Sequence, residues 1–299
     1  MDHVRVTPFG AFDNHARTYE QIRVRPLAAA MGAEVRGIDL NAVDDAALAE
    51  LQDALFHHKM IYLPDQTVDH GAHERFTARL GPFGTDAYTG GMPGHPDVQP
   101  VVKEAENRTK AIFGGSWHTD SAFLERPPSI STLYSVEIPP FGGDTAWANT
   151  ALAYRMLSPT MQAMLAPLRV HMSAERNSAT QLRLNNKNTV YSSDDAREQA
   201  LDGAFHPLVR THPVTGEKAL YVDETYAVGI EGMTPTESRP LIDFLASHVT
   251  QHAFSCRLRW EPRMMVMWDN RLCVHHASND YAGYRREMYR TTVMGEVPA

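Results

Sequence analysis

The chain has 299 residues, 43% of them apolar and 21% charged, with a net charge of −8 when histidine is neutral. That balance fits a globular protein of one large domain or two small ones, and the negative charge argues against a general nucleic-acid binder. No apolar run is long enough to span a membrane, the first residues carry no signal-peptide core, and two cysteines give no disulfide framework, so the expected compartment is a reducing cytoplasm.

Residues 1–20 read as an exposed leader, and strand-like text begins at Gln21 and returns at Ala33-Glu34-Val35. Asp44-Asp45 caps a helix whose Leu48, Leu51 and Leu55 share one face. Met60-Ile61-Tyr62-Leu63 is a short buried strand, and Asp69 opens a second helix to about Leu80. Residues 81–116 hold seven glycines and four prolines, the composition of an active-site loop or lid. Strands follow at 129–136 and from Asp144 to Trp147, then a helix around 149–157 and a second one opened by Ser158-Pro159. After a strand at 168–172, residues 174–203 are polar and unpatterned and read as an insertion, a second candidate lid. Residues 205–211 and 218–222 read as a hairpin, and Thr234-Pro235-Thr236-Glu237 is a capping box for a helix to about Val249. Alternation at Phe254, Cys256, Leu258 and Trp260 predicts a half-buried strand, followed by strands at 264–268 and 286–294. Many strands, few helices and Pro/Gly turns predict a β-sandwich or jelly-roll barrel with helices packed outside.

Trp117-His118-Thr119-Asp120 carries the first chemical signal. In an extended chain, residues two apart share a face, so His118 and Asp120 present an imidazole and a carboxylate side by side. They are two thirds of the 2-His-1-carboxylate triad that binds Fe(II) and leaves coordination positions open. A single His-x-Asp is weak, since about one is expected by chance in such a chain. A second one, His95-Pro96-Asp97, is set aside because its proline lies in a Pro/Gly loop that fixes ligand geometry poorly. The third ligand is sought in Trp268-Asp269-Asn270-Arg271-Leu272-Cys273-Val274-His275-His276. Adjacent histidines on a strand face opposite ways, so at most one joins the site, and the residues alone leave the choice between His275 and His276 open. Arg286, Met288 and Arg290 share one strand face. An arginine inside a barrel calls for an anion, whereas on the outer face it is merely solvated or salt-bridged.

Taken in order and spacing, these motifs resemble the TauD/TfdA family of Fe(II)- and 2-oxoglutarate-dependent dioxygenases. The resemblance runs from about Ile22 to Gly295. It rests on Val24-Arg25-Pro26-Leu27 with Met31 to Leu40, on Trp117 to Asp120 with Phe123 and Pro127-Pro128, on Gly142-Gly143-Asp144-Thr145, and on Trp268-Asp269-Asn270-Arg271 with His275 and the arginines behind it. It implies a mainly β fold with flanking helices, the double-stranded β-helix or jelly roll, as a single domain over residues 21–296. It implies His118, Asp120 and His275 as iron ligands, with His275 chosen because the family's distal histidine lies seven residues after the tryptophan. Arg286, eleven residues beyond His275, matches the arginine that binds the distal carboxylate of 2-oxoglutarate, assisted by Thr145. Arg290, fifteen beyond, matches an arginine that binds the substrate's anionic group. Asp86 falls where taurine-oxidising members carry a sulfonate-binding histidine, and Gly114 where they carry asparagine, so the residues argue against taurine itself.

The implied reaction consumes 2-oxoglutarate and O2, releases succinate and CO2, and hydroxylates a small anionic molecule of the aryloxyalkanoate, sulfonate or sulfate-ester type, with C–O cleavage when the new hydroxyl shares a carbon with an ether or ester oxygen. Asp120 favours hydroxylation over halogenation, for which related enzymes carry a small residue in its place. No catalytic side chain is expected beyond the metal site, and no nucleic acid or membrane partner; self-association stays open. Two readings compete: a biosynthetic hydroxylase or desaturase on the same scaffold, with Asp86 meeting an amine or hydroxyl, and a metal-binding jelly roll that is not a dioxygenase.

Overall fold

The computed structural model describes residues 12, 14–108, 114–177 and 192–299. Seven strands form the main sheet: β1 (Arg23–Pro26), β2 (Ala33–Arg36), β3 (Met60–Leu63), β4 (Gln99–Lys103), β5 (Ile130–Glu137), β13 (Met265–Asp269) and β15 (Arg286–Val293), in the order β1-β2-β3-β13-β5-β15-β4. A three-stranded sheet, β12-β6-β14, is built from β6 (Thr145–Asn149), β12 (Ser255–Leu258) and β14 (Cys273–Ala277). Leu133, Met264, Val266 and Met288 of the main sheet and its borders form one buried cluster with Trp147, Cys256, Leu258 and Cys273 of the smaller sheet. The two sheets therefore face each other across a shared core, and this is a jelly roll, the double-stranded β-helix.

Helices α1 (Asp45–His58) and α2 (His70–Leu80) cover the other face of the main sheet. Asp44 caps α1 by accepting from the Ala47 amide at 2.8 Å, and Asp69 caps α2 by accepting from Ala72 at 2.7 Å. Leu48, Leu51 and Leu55 are buried on one face of α1, as their spacing predicts. Beyond the smaller sheet lie α3 (Thr150–Arg155), α4 (Pro159–Leu165) and two further small sheets, β11-β7-β8 and β10-β9. These are formed by β7 (Arg169–Met172), β8 (Ala204–Pro207), β9 (Val209–Thr211), β10 (Lys218–Leu220) and β11 (Ala227–Ile230). Helix α6 (Pro235–Val249), which follows α5 (Asp194–Asp202), starts at the predicted capping box, where the Thr234 amide donates to Glu237 at 2.8 Å. Among the described residues no helix is long and apolar enough to cross a membrane.

Four expectations change. The leader is not wholly exposed: Asn14 is buried and donates to the carbonyls of Ala28 and Gly32 at 2.5 and 3.0 Å. The Pro/Gly stretch contains β4, an edge strand paired with β15, and its Pro100 is tolerated because an edge strand needs no second row of donors. The 205–211/218–222 hairpin is divided, since β8 pairs with β7 and only β9 pairs with β10. The change of sheet falls at Leu208, which is buried and donates to the Leu168 carbonyl at 2.9 Å. The 174–203 insertion holds helix α5, capped by Ser193; its one buried residue, Ala200, leaves no amphipathic trace in the sequence. Residues 178–191 of that candidate lid lie outside the described residues.

At the end of β13, Asp269 anchors a buried ionic network. Arg271 donates to both of its oxygens, at 2.8 and 2.7 Å, and His212 donates from Nε2 at 2.9 Å. Burial alone would raise the Asp269 carboxyl, but the Arg271 charge and the three hydrogen bonds hold it well below the usual carboxylate range. A depressed folded-state pKa gives stability that is complete above about pH 4 and is lost as pH falls below that value. We expect Asp269→Ala to destabilise the protein by about 3–5 kcal/mol, because Arg271 and His212 would lose a buried partner. Urea unfolding at pH 7 measures this, and the gap between mutant and wild type should narrow as the pH is lowered below about 4.

Candidate active site

His118 does not lie in a regular strand. It forms a single antiparallel bridge with His275 of β14, in which His118 donates to the His275 carbonyl at 3.0 Å and His275 returns the bond at 2.8 Å. The chain turns directly after the motif, at Ser121, whose φ of +42° is unusual for a residue with a side chain. His118 and Asp120 still share one face, and the bridge sets His275 beside them. His118 Nε2 and His275 Nε2 each lie 3.8 Å from Asp120 Oδ1, and all three residues are buried. Their candidate ligand atoms lie within 4.8 Å of one another, the only such cluster of three or more metal-binding side chains among the described residues. His276 turns the other way, against the Trp117 ring at 5.7 Å, as strand alternation requires. His95 pairs with Glu74 at 2.7 Å, away from this cluster.

Electrostatics prepare the three groups for a cation. Burial pushes the His118 imidazole down, and burial with the neighbouring His118 takes His275 to about 3, so both rings are neutral near pH 7. Burial alone would raise Asp120, but the Arg290 guanidinium and the two histidines pull it down to about 2. The His118 Nδ1–H donates to the Ser116 carbonyl at 2.8 Å, which leaves the Nε2 lone pair for a metal. Asp120 uses Oδ2 to accept from Ser131 at 2.5 Å, and Ser131 accepts from Asn270 Nδ2 at 2.8 Å. Asn270 Oδ1 in turn accepts from the Trp268 indole at 3.0 Å. Two residues of the Trp268–Arg271 motif thus orient the carboxylate.

A four-residue turn clamps the backbone around the metal motif. The Trp117 amide donates to Glu224 at 2.9 Å, the Thr225 hydroxyl donates to the Trp117 carbonyl at 2.8 Å, and the Thr119 amide donates to Asp223 at 3.1 Å. Asp223 also accepts from the Thr225 and Tyr226 amides, at 3.0 and 2.6 Å. Burial is strong enough to push its carboxyl up to about 6 despite these bonds. On the opposite side, Gly114 accepts from the Ala277 amide at 2.8 Å and stands against the His118 ring, where an added Cβ would come within 3.2 Å of Cε1. Its φ of +74° is a further reason for glycine.

The second group of residues lies along β15. Arg286, Met288 and Arg290 are buried and their neighbours Glu287 and Tyr289 are not, so the predicted shared face is the inner one. Arg286 has two guanidinium nitrogens, Nε and Nη2, with no hydrogen-bond partner, and burial pushes its pKa down. Its guanidinium stands 5.6 Å from the centre of the Trp260 ring. Trp260 donates to Thr145 Oγ1 at 2.9 Å, leaving the Thr145 hydroxyl proton to be donated elsewhere. Lys103 is the register partner of Arg286 on β4 and brings a second cation, its ammonium pushed down by burial and by Arg108 and Arg286. A buried guanidinium with idle donors, over a ring whose N–H holds a hydroxyl, is a fit for a carboxylate. Arg290 differs: it donates to Asp120 Oδ1 at 3.1 Å and forms a close ion pair with Asp86.

The profile described as "Taurine catabolism dioxygenase TauD, TfdA family" matches residues 23–292. The chain belongs to the TauD/TfdA family. Among its TauD/TfdA relatives is an alpha-ketoglutarate-dependent sulfate ester dioxygenase of Pseudomonas putida, 35% identical over 93% of this chain and 91% of that protein. An alkylsulfatase of Acinetobacter baylyi is 30% identical over 93% of this chain and 86% of its own length. A crystal structure of a taurine dioxygenase from Burkholderia xenovorans superposes with a TM-score of 0.78 at 34% identity, covering 94% of this chain and 91% of that one.

Sequence reasoning missed Ser131, Asp223, Trp260 and Lys103. Only Trp260 carried a signal, as the last member of an alternating run. Asp223→Ala would leave three backbone amides without their acceptor, and we expect a loss of about 1–3 kcal/mol in stability. Chemical unfolding measures the loss, and affinity for a divalent metal should fall with it, because Thr119 lies between His118 and Asp120 of the cluster.

Proposed function

We propose that His118, Asp120 and His275 hold Fe(II), that Arg286 and Thr145 hold the distal carboxylate of 2-oxoglutarate, and that Arg290 and Asp86 form the substrate subsite. The chain is an Fe(II)- and 2-oxoglutarate-dependent dioxygenase that acts on a small organic anion. Arg286 carries the reading. A buried guanidinium with two idle donors is costly unless an anion completes it, and a metal-binding jelly roll without a co-substrate has no use for one. Two idle donors and the Thr145 proton match the acceptors of one carboxylate.

Bound together, Fe(II) and 2-oxoglutarate activate O2 and supply the oxidant for a C–H bond, with release of succinate and CO2. The protein's part is positioning. His118 offers its Nε2 lone pair and His275 a neutral imidazole, and Asp120 offers Oδ1 while Ser131 secures Oδ2. A metal held by these three side chains would keep positions open for the co-substrate. Arg286 and Thr145 anchor the far end of the co-substrate, and both side chains are buried.

For the substrate we favour a sulfate ester, sulfonate or aryloxyalkanoate. The relatives named for sulfate esters and alkyl sulfates match along nearly the whole chain, and Arg290 supplies a buried cation. Hydroxylation at a carbon that already bears an ester or ether oxygen gives a hemiacetal-type carbon. Its hydroxyl proton then leaves, a carbonyl forms, and the C–O bond breaks to free sulfate or phenol. Two buried free thiols, Cys256 and Cys273, support a reducing, cytoplasmic setting.

The deciding experiment is Fe(II)- and O2-dependent succinate formation from 2-oxoglutarate, with alkyl sulfates and aryloxyalkanoates as substrates. Absence of turnover with all of them, together with tight Zn(II) binding, would support a metal-binding protein that is not a dioxygenase. His118→Ala is expected to reduce bound iron from about one per chain to a small fraction, read by metal analysis after desalting; full retention would remove His118 from the ligand set. Arg286→Ala is expected to weaken 2-oxoglutarate binding about tenfold or more, read by calorimetry, and an unchanged affinity would refute its role.

A further inference from the structure

We infer that Asp86 is a specificity-determining residue of the substrate subsite: its carboxylate occupies Arg290, so an anionic substrate has to displace it. This rests on the reading of Arg290 as the receptor for the substrate's anion. The Arg290 side chain is buried, and its nitrogens are already engaged. Nη1 donates to Asp120 Oδ1 at 3.1 Å, Nη2 pairs closely with Asp86 Oδ2, and Nε faces Gln99 Oε1 at 3.4 Å.

Asp86 does not depend on Arg290 to stay there. Its other oxygen, Oδ1, accepts from the Tyr88 and Thr89 amides, both at 2.8 Å, and from the Thr89 hydroxyl at 3.1 Å. The carboxylate is therefore part of the 86–89 turn. That turn is itself tied down, because the Ser192 amide donates to the Ala87 carbonyl at 2.9 Å and the Tyr88 hydroxyl donates to Tyr226 at 3.3 Å. The result is a prepared anion, fixed by local bonds and aimed at the one arginine that a substrate anion would use.

Arg286 supplies the contrast on the same strand face. Its donors are idle, so the co-substrate pocket requires an anion; Arg290 is neutralised, so the substrate pocket does not. A sulfate or carboxylate entering beside Arg290 either breaks the Asp86 pair or sits next to two carboxylates, Asp86 and Asp120, in a medium that screens them poorly. Either way Asp86 penalises anions, and it limits turnover to those substrates whose remaining contacts outweigh the penalty.

The test is Asp86→Asn, which keeps an Oδ1 acceptor for the Tyr88 and Thr89 amides and removes the charge. Asp86→Ser is the second variant, also uncharged and able to close the turn. Wild type, both variants and Arg290→Gln are loaded with Fe(II) and 2-oxoglutarate without O2, and hexyl sulfate is titrated by calorimetry. The expected result is binding about tenfold or more tighter in both Asp86 variants, with 2-oxoglutarate affinity unchanged and binding lost in Arg290→Gln. Equal or weaker binding in the Asp86 variants, including no detectable binding in any protein, overturns the proposal. If that happens while Arg290→Gln still loses binding, only the Asp86 role fails. If Arg290→Gln binds hexyl sulfate like wild type, the Arg290 reading fails and this proposal with it.

Discussion

The site depends on a pair of backbone hydrogen bonds. His118 and His275 exchange amide and carbonyl across one antiparallel bridge, and this brings two remote stretches of chain into register. Once the bridge is made, the extended backbone at Thr119 puts Asp120 on the face of His118, and β14 puts His275 beside both. The bridge also decides between the adjacent histidines, since a strand presents only one of them to a given side. One residue of pairing would hold little on its own. The Asp223–Tyr226 turn supplies the rest by taking up the amides of Trp117 and Thr119 and the carbonyl of Trp117. The metal motif is thus held through its backbone, which leaves its side chains free for chemistry.

A second constraint is charge. The inner space between the sheets holds Asp120, Arg286 and Arg290 together with Asp86, all buried. In that environment each charge needs a partner. Asp120 has Arg290 and Ser131, and Arg290 has Asp86 and Asp120. Arg286 has the face of Trp260 and two idle donors. Among these four groups the imbalance falls at Arg286, over the Trp260 ring whose N–H donates to Thr145. A stability argument cannot account for it, because an apolar residue would serve the core better there; recognition of an anion can.

What the sequence revealed follows the range of the interactions. The Asp44 and Asp69 caps, the leucine face of α1 and the alternation of Arg286, Met288 and Arg290 are local patterns, and each was legible. The His118/Asp120 pair was legible for the same reason, although the strand around it proved to be one bridge and a turn at Ser121. Ser131, Asp223 and Lys103 were not legible. Their roles arise from register and from bonds to a distant backbone, and neither leaves a periodic trace. Strand β4 was hidden by Pro100, whose presence excludes a central strand but not an edge. Helix α5 was hidden because only Ala200 of it is buried, so it lacks an apolar face to detect.

Strand β15 ties the two constraints together. Arg286 and Arg290 are four residues apart on its inner face, about 13 Å at a strand's rise per residue. One strand therefore carries a buried guanidinium at each end of this span, and the two differ in their partners: Arg286 has two idle donors, and Arg290 is paired with Asp86 and Asp120. At Arg286 the protein leaves the cation open, which suits a co-substrate that is the same in every turnover. At Arg290 it sets Asp86 against the cation, which under the proposed substrate role would make affinity depend on what else the substrate offers. On the proposed roles the same side-chain chemistry would serve a constant partner and a selected one, and the difference would lie in a single carboxylate built into the 86–89 turn.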